Sequence, residues 1–220
     1  MLAEQPALTS AHLFCGGGGD TDGAVRTGFK PLWGIENDPY AAAVFRRRFP
    51  ETMLIEADVK SLSDDFVRSL PIPNIICGGT PCPDFSTAGH RAGLAGLRGS
   101  LFFEFLRFLQ LKQPEIFLFE NVEGILSSSS HPVTKYAARI IQRYETGGWG
   151  ISKETCATAK SVKKFHQGSD FKRVLWEFGK VGYDCTWQLR NGHRWVPQNR
   201  PRVFVVGRHR EYSMSQDRAG

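Results

Sequence analysis

Short apolar runs, each closed by a glycine, a proline or an acid, alternate along the chain with stretches of helical periodicity. Ala11-His12-Leu13-Phe14 runs into Cys15-Gly16-Gly17-Gly18-Gly19, Pro31-Leu32-Trp33-Gly34-Ile35 stops at Glu36, and Met53-Leu54-Ile55 leads to Asp58. Asn74-Ile75-Ile76-Cys77 breaks into Gly78-Gly79, and Ile116-Phe117-Leu118-Phe119 delivers Glu120-Asn121. Residues 183–189 and Val203-Phe204-Val205-Val206 complete the set. Runs this short, apolar and β-branched predict strands, and continuous apolar content on both faces is what a buried parallel sheet demands.

Helices are predicted between them. One follows the glycine loop; a second spans 39–49, opened by Asp38 as N-cap and Pro39, with Ala42, Val44, Phe45 and Phe49 inward and Arg46-Arg47-Arg48 outward. Further helices are expected at 64–70, at 101–111 behind a Ser100 cap, and at 171–179. Alternating β and α units predict an α/β fold, a Rossmann-like, mostly parallel twisted sheet with helices on both faces. From 127 to 168 the pattern weakens into a serine run, Gly147-Gly148 and a lysine-rich stretch, which reads as an insertion, partly helical at 133–144, within one domain covering 1–220. Residues 87–99 hold four glycines with Arg91 and Arg98 and read as a loop.

Composition adds three constraints. The 220 residues carry 28 Lys and Arg against 22 Asp and Glu, a net charge of +6, compatible with a polyanionic partner. Between Arg190 and Arg210 stand six arginines and no acid, a strip suited to a nucleic-acid backbone. Five cysteines in no C-x-x-C arrangement, and no basic-then-apolar leader, point to a reducing cytoplasmic setting. No apolar stretch approaches the roughly 18 residues of a membrane span.

The strand tips hold the candidate chemistry, because open α/β sheets bind ligands beyond the carboxyl ends of their strands. Thr21 occupies the place of the third glycine in the dinucleotide fingerprint, which disfavours NAD. Glu36, 20 residues beyond Gly16, stands where nucleotide-binding folds put the acceptor for ribose hydroxyls, and Asp58 is a candidate acceptor for an adenine amino group. Glu120 at the end of an apolar strand must be paired or protonated. Cys82, in Gly78-Gly79-Thr80-Pro81-Cys82-Pro83-Asp84-Phe85-Ser86, sits where a strand leaves the sheet.

Taken together these residues resemble the C5-cytosine DNA methyltransferases. Leu13-Phe14-Cys15-Gly16-Gly17-Gly18-Gly19 resembles the first motif of that family, Glu36-Asn37-Asp38-Pro39 its second, Asp58 its third, Pro81-Cys82-x-x-Phe85-Ser86 its catalytic motif and Arg98-Gly99-Ser100-Leu101-Phe102 its fifth. Glu120-Asn121-Val122 and Gln198-x-Arg200-x-Arg202 follow in family order. The resemblance implies S-adenosyl-L-methionine as methyl donor, double-stranded DNA as substrate and a flipped cytosine attacked at C6 by Cys82. It gives Glu120 the base's N3, Arg202 its O2, Ser86 a phosphate contact and Arg200 a place in the catalytic set. Phe14, Gly16, Gly19, Glu36, Asn37, Asp58, Val59 and Leu101 match cofactor-binding positions.

The chain departs from the family pattern at His12, where an acid is common, at Pro83, where glutamine usually follows the catalytic cysteine, and at Trp195, where glycine usually precedes Val-Pro-Gln. The family's target-recognition domain and last two motifs have no counterpart before Gly220, so the resemblance implies the catalytic subunit of a split enzyme with a second protein carrying target recognition. A non-catalytic module that binds S-adenosylmethionine or DNA, a degenerate fragment of the same fold, and a tRNA cytosine-5 methyltransferase are the alternatives.

Overall fold

The computed structural model describes residues 7–80, 101–129, 132–146 and 152–212. The chain divides into two compact units; the first contains Met1–Pro81, Ser100–Asn121 and Glu177–Gly220, the second Cys82–Gly99 and Val122–Trp176.

The first unit is built on a seven-stranded sheet. Its strands are β1 (Thr9–Leu13), β2 (Lys30–Glu36), β3 (Met53–Glu56), β4 (Ile75–Gly79), β5 (Ile116–Val122), β6 (Tyr183–Asn191) and β7 (Pro201–His209). They lie in the order β3-β2-β1-β4-β5-β7-β6. β3, β2, β1, β4 and β5 pair in parallel, whereas β6 and β7 form an antiparallel pair. The expected Rossmann-like methyltransferase fold is therefore present, with a sheet that is mostly parallel rather than wholly so. From β1 the chain steps outward to β2 and β3, then crosses to β4 and β5 on the other side, and this reversal opens the crevice in which such sheets hold ligands.

Each predicted strand is found, and burial explains why. Ala11, Leu13, Trp33, Ile35, Ile76, Phe117 and Phe119 are fully or almost fully buried. The helices α1 (Gly19–Arg26), α2 (Pro39–Arg48), α3 (Asp64–Ser69) and α4 (Leu101–Lys112) connect the parallel strands. Asp38 caps α2 by accepting the Ala41 N–H at 2.8 Å, and Ser63 caps α3 through the Phe66 N–H. Ala42 and Phe45 of α2 are buried as expected, but Val44 is 50% exposed because one position along a helix turns the side chain about 100° away from its neighbour.

α4 buries most of its circumference. Phe102 and Phe105 pack edge-on or tilted against Phe119 and Phe178, and Phe117 stands 4.4 Å from Phe178 between ring centroids. Such aromatic pairs contribute about 0.5–1.5 kcal/mol each beyond area burial. Lys112 at the end of α4 is also buried, its ammonium donating to the Arg68 and Leu70 carbonyls at the end of α3, where a cation suits the exposed carbonyls.

The second unit contains α5 (Pro132–Glu145), α6 (Lys153–His166) and most of α7 (Ser169–Lys180). α5 answers to the helix expected at 133–144. α6 lies in the lysine-rich stretch for which no helix is predicted; its buried face is only Cys156 and Ala159, with Val162 partly buried, too small an apolar stripe to stand out from the lysines.

Candidate active site

A cavity of about 290 Å³ opens at the carboxyl ends of the first three strands and the start of α4, lined by Phe14, Ile35, Glu36, Asn37, Ala57, Asp58, Val59 and Leu101. Six of the eight residues that match cofactor-binding positions line it. The other two, Gly16 and Gly19, form the loop below it and the first position of α1.

Backbone geometry builds the floor. Phe14, the residue after β1, adopts a left-handed conformation (φ 55°), rare for a bulky side chain and costing roughly 1–2 kcal/mol, the sort of local strain that gathers at functional sites. Gly18 (φ 84°) caps α1, and a β-carbon there would come within 2.3 Å of the Phe49 ring, so glycine is required both by φ and by space.

Glu36 does more than face the cavity. Its Oε2 accepts the Gly16 N–H at 2.8 Å, and its Oε1 accepts the N–H groups of Asn37 and Asp38, both at 2.9 Å. The carboxylate thus fastens the tip of β2 to the glycine loop. With two acceptor sites per oxygen, Oε2 keeps capacity for one further donor, such as a ribose hydroxyl. Asp58 places Oδ1 on the Lys60 N–H at 3.0 Å, capping the turn Val59–Ser61. Its other oxygen is available to a ligand in the cavity.

Two arginines of the outward triplet have structural partners. Arg48 donates to the Gly17 carbonyl at 2.7 Å and lies 3.4 Å from Asp22, while Arg46 pairs with Glu56 at 2.6 Å. All three are exposed as expected, yet two of them tie α2 to the glycine loop and to β3. On α4, Arg107 donates to the Val59 carbonyl at 2.9 Å and to Asp64 at 2.8 Å, holding that wall of the cavity.

His12, where the family commonly has an acid, is fully buried, with Nδ1 2.9 Å from Asp20 and Nε2 2.9 Å from the Ser10 hydroxyl. It joins β1 to the first turn of α1. That turn carries Asp20 and Asp22, which makes it a poor seat for a pyrophosphate, and Thr21, at the place of the missing third glycine, is buried within the helix.

Further along the same strand ends, Glu120 of β5 meets Arg202 of β7, with Oε1 2.7 Å from Nε. The carboxylate that had to be paired or protonated is paired. Gly79 is the β4 residue opposite Glu120, and the next pair of side chains, Thr80 and buried Asn121, is joined by a 3.3 Å hydrogen bond. Arg200 is not drawn into this cluster: it is exposed and held by its main chain, which donates to Asn191 Oδ1 at 3.0 Å. Cys82 and Ser86 lie outside the described residues.

The four described cysteines are poor nucleophiles. Burial pushes the Cys15 and Cys77 thiols up to about 12, assisted by Asp20 and, for Cys15, Glu36, and burial followed by Asp184 pushes Cys185 to about 12. Cys156 is buried. No group of His, Cys, Asp and Glu among the described residues is arranged to hold a metal ion. Nor is any described helix long and apolar enough to cross a membrane. Sequence reasoning missed Ile35 and Ala57, cavity walls that stand directly before Glu36 and Asp58 and look like ordinary core residues in the sequence.

The chain is similar to known proteins over most of its length. A type II methyltransferase, M.AquIA, from Picosynechococcus is 30% identical over 201 residues, covering 89% of this chain and 69% of that protein. Another, M.NgoFVII from Neisseria gonorrhoeae, is 34% identical over 205 residues, covering 93% of this chain and 44% of that protein. The chain thus spans about half the length of several curated relatives, with shares of 46%, 44% and 52%. Among solved structures, a protein described as a DNA modification methyltransferase encoded within an Escherichia coli prophage superposes with a TM-score of 0.64 at 23% identity, over 94% of this chain and 48% of that one, which establishes likeness of fold. The profile of C-5 cytosine-specific DNA methylases matches residues 8–162 and 158–219. With that match over nearly its whole length, the chain belongs to the C-5 cytosine-specific DNA methylase family.

Proposed function

We propose that this chain binds S-adenosyl-L-methionine and carries the catalytic residues of a DNA (cytosine-5-)-methyltransferase. The observation that carries the proposal is the cavity, in which two carboxylates with unused acceptor capacity, Glu36 and Asp58, stand among the apolar walls Phe14, Ile35, Ala57, Val59 and Leu101. That donor set fits an adenosine: the apolar walls take the base, Oε2 of Glu36 a ribose hydroxyl and Oδ2 of Asp58 the adenine amino group. When bound, S-adenosylmethionine supplies an electrophilic methyl group.

The remaining chemistry belongs to the protein. Cytosine C5 is a poor nucleophile, so the Cys82 thiolate adds to C6; the S–C6 bond forms and the C5–C6 π pair moves to C5, which would take the methyl group while the electron pair of the broken S–CH3 bond leaves with S-adenosylhomocysteine. Glu120 holds N3, or protonates it once it has itself taken up a proton, which drains charge from the ring during attack, and Arg202 binds O2. The 2.7 Å pair keeps both side chains in place before substrate arrives. A base then removes the C5 proton, the electron pair returns to the ring, and the S–C6 bond breaks to release Cys82. Ser86 contacts the target phosphate and Arg200 supports the DNA backbone. Because C6 is hidden in a duplex, the target base must be flipped out.

The proposal includes a second protein for target recognition. It is supported by exposed apolar side chains at β6 and the connection to β7, where Leu189 is 43%, Trp195 70% and Val196 51% exposed. Exposed apolar side chains of this size are what a partner's surface would cover.

The test is transfer of a labelled methyl group to duplex DNA, by the chain alone and with a candidate partner. Cys82→Ala should abolish transfer and the covalent capture of 5-fluorocytosine DNA, while calorimetry shows S-adenosylmethionine binding retained. Near-normal turnover by Cys82→Ala would overturn the mechanism.

A further inference from the structure

The positive charge of the protein is concentrated in two helices. α5 and α6 hold seven cations, Lys135, Arg139, Arg143, Lys153, Lys160, Lys163 and Lys164, against the carboxylates Glu145 and Glu154, a net of +5 out of +6 for the whole chain. We propose that the α5–α6 pair is a binding surface for the phosphate backbone of duplex DNA, separate from the residues that hold the cofactor and the target base. The inference rests on the reading of DNA as substrate.

Packing turns this charge outward. The two helices meet through Ala137, Ile141, Cys156 and Ala159, with Ile140 and Val162 at the margin. On α5, Lys135, Arg139 and Arg143 recur every fourth residue, on the side turned away from Ala137 and Ile141, and all three are exposed. A four-residue step advances about 6 Å. Measured along the axis of a duplex, two nucleotide steps of one strand, at about 3.4 Å each, cover nearly the same distance. On α6, Lys153, Lys160 and Lys164 form a second exposed stripe, joined by Lys163.

Neutralisation within the protein is slight. Among the described residues, Lys160 alone of these seven has a carboxylate in reach, Glu145 at 3.4 Å. A solvated helix face that served only solubility would interleave acids at i,i+4, as α1 does with Asp22 and Arg26. Here each acid lies at a helix terminus, Glu154 in the first turn of α6 and Glu145 at the last position of α5, leaving the middle of both helices cationic.

Phosphate contacts release counterions, so each one lost lowers the slope of log affinity against log salt by about 0.9. The test measures duplex binding by anisotropy across a salt series for the full chain, for a triple variant Lys135→Gln, Arg139→Gln, Arg143→Gln, and for a second triple, Lys153→Gln, Lys163→Gln, Lys164→Gln. Each triple should reduce the slope by about 2–3, with S-adenosylmethionine affinity unchanged. A single Arg139→Gln, reducing it by about 1, serves if a triple variant fails to fold. An unchanged slope in both triple variants, or no duplex binding by the wild-type chain, would overturn the proposal. Failure of the catalytic reading shows separately: the chain would then transfer no methyl group, with or without partner, while the helix variants still lowered the salt slope.

Discussion

Glu120 Oε1 and Arg202 Nε stand 2.7 Å apart, on β5 and β7, strands that neighbour each other in the sheet although the Val122–Trp176 segment of the second unit separates them in sequence. The pair is half-buried, with 31% of the Glu120 and 20% of the Arg202 side chain exposed. Solvent at that level screens the attraction, so its contribution to stability is modest, about 1 kcal/mol. Its value lies in orientation. Arg202 also donates to the Pro201 carbonyl at 2.8 Å, which leaves its fork partly committed and its direction fixed.

The residue that makes room for this pair is Gly79. A β-carbon there would sit 2.6 Å from Glu120 Oε2, closer than non-bonded atoms approach, and the carboxylate rather than the backbone would have to move. Gly79→Ala is therefore expected to fold with a cost of about 1–3 kcal/mol and to lose methyl transfer by about tenfold or more, as a misplaced catalytic group does. Thermal melting and single-turnover methylation check both halves. Full turnover in Gly79→Ala would mean that Glu120 need not hold its observed position.

Glu36 yields a prediction that separates binding from architecture. Glu36→Ala removes the acceptor of three main-chain N–H groups together with any ribose contact, so it should lower stability by about 1–3 kcal/mol as well as weaken S-adenosylmethionine binding by about 1.5–3 kcal/mol. Asp58→Asn should behave differently: the amide oxygen still caps the Lys60 N–H, so melting is preserved while cofactor affinity falls. Calorimetry alongside melting curves distinguishes the two. Equal behaviour of both variants would remove the stapling role of Glu36.

Most of this site was legible in the sequence because its residues follow apolar runs. A run such as Trp33-Gly34-Ile35 declares a strand, and the acid that follows it declares the strand's tip, so the sequence alone places Glu36, Asp58 and Glu120. Partners were not legible. Nothing in Arg46-Arg47-Arg48 says that Arg46 reaches Glu56 and Arg48 the Gly17 carbonyl, since those contacts depend on how far α2 is rotated. Val44 failed for the same reason, one position off the buried stripe. α6 was missed because Cys156 and Ala159 are small and its surface is lysine-rich, and Lys112 because a long charged side chain at a helix end ordinarily reaches solvent rather than the neighbouring carbonyls of Arg68 and Leu70.

Three shifted thiols, two buried and one half-buried, contribute to the loss of stability at alkaline pH and to the selectivity of alkylation. Cys15, Cys77 and Cys185 are raised from 9.0 to about 12, chiefly by burial, so between those values the folded protein keeps protons that the unfolded chain has lost. The folded state then binds more protons, and stability must fall as pH rises through that window, having been fully present below it. Urea midpoints should drop from pH 9 toward pH 12, and less steeply in Cys77→Ala, which removes one of the three shifted groups. At a pH of about 8.5 the same three thiols are protonated and shielded, so iodoacetamide should modify Cys82 first, because the thiolate is the reacting species. Peptide mapping after brief labelling reads the order directly, and bound S-adenosylmethionine with duplex DNA should slow labelling of Cys82 alone. Labelling of Cys15 or Cys77 at the rate of Cys82 in the folded chain would remove the reason for assigning the nucleophile to Cys82.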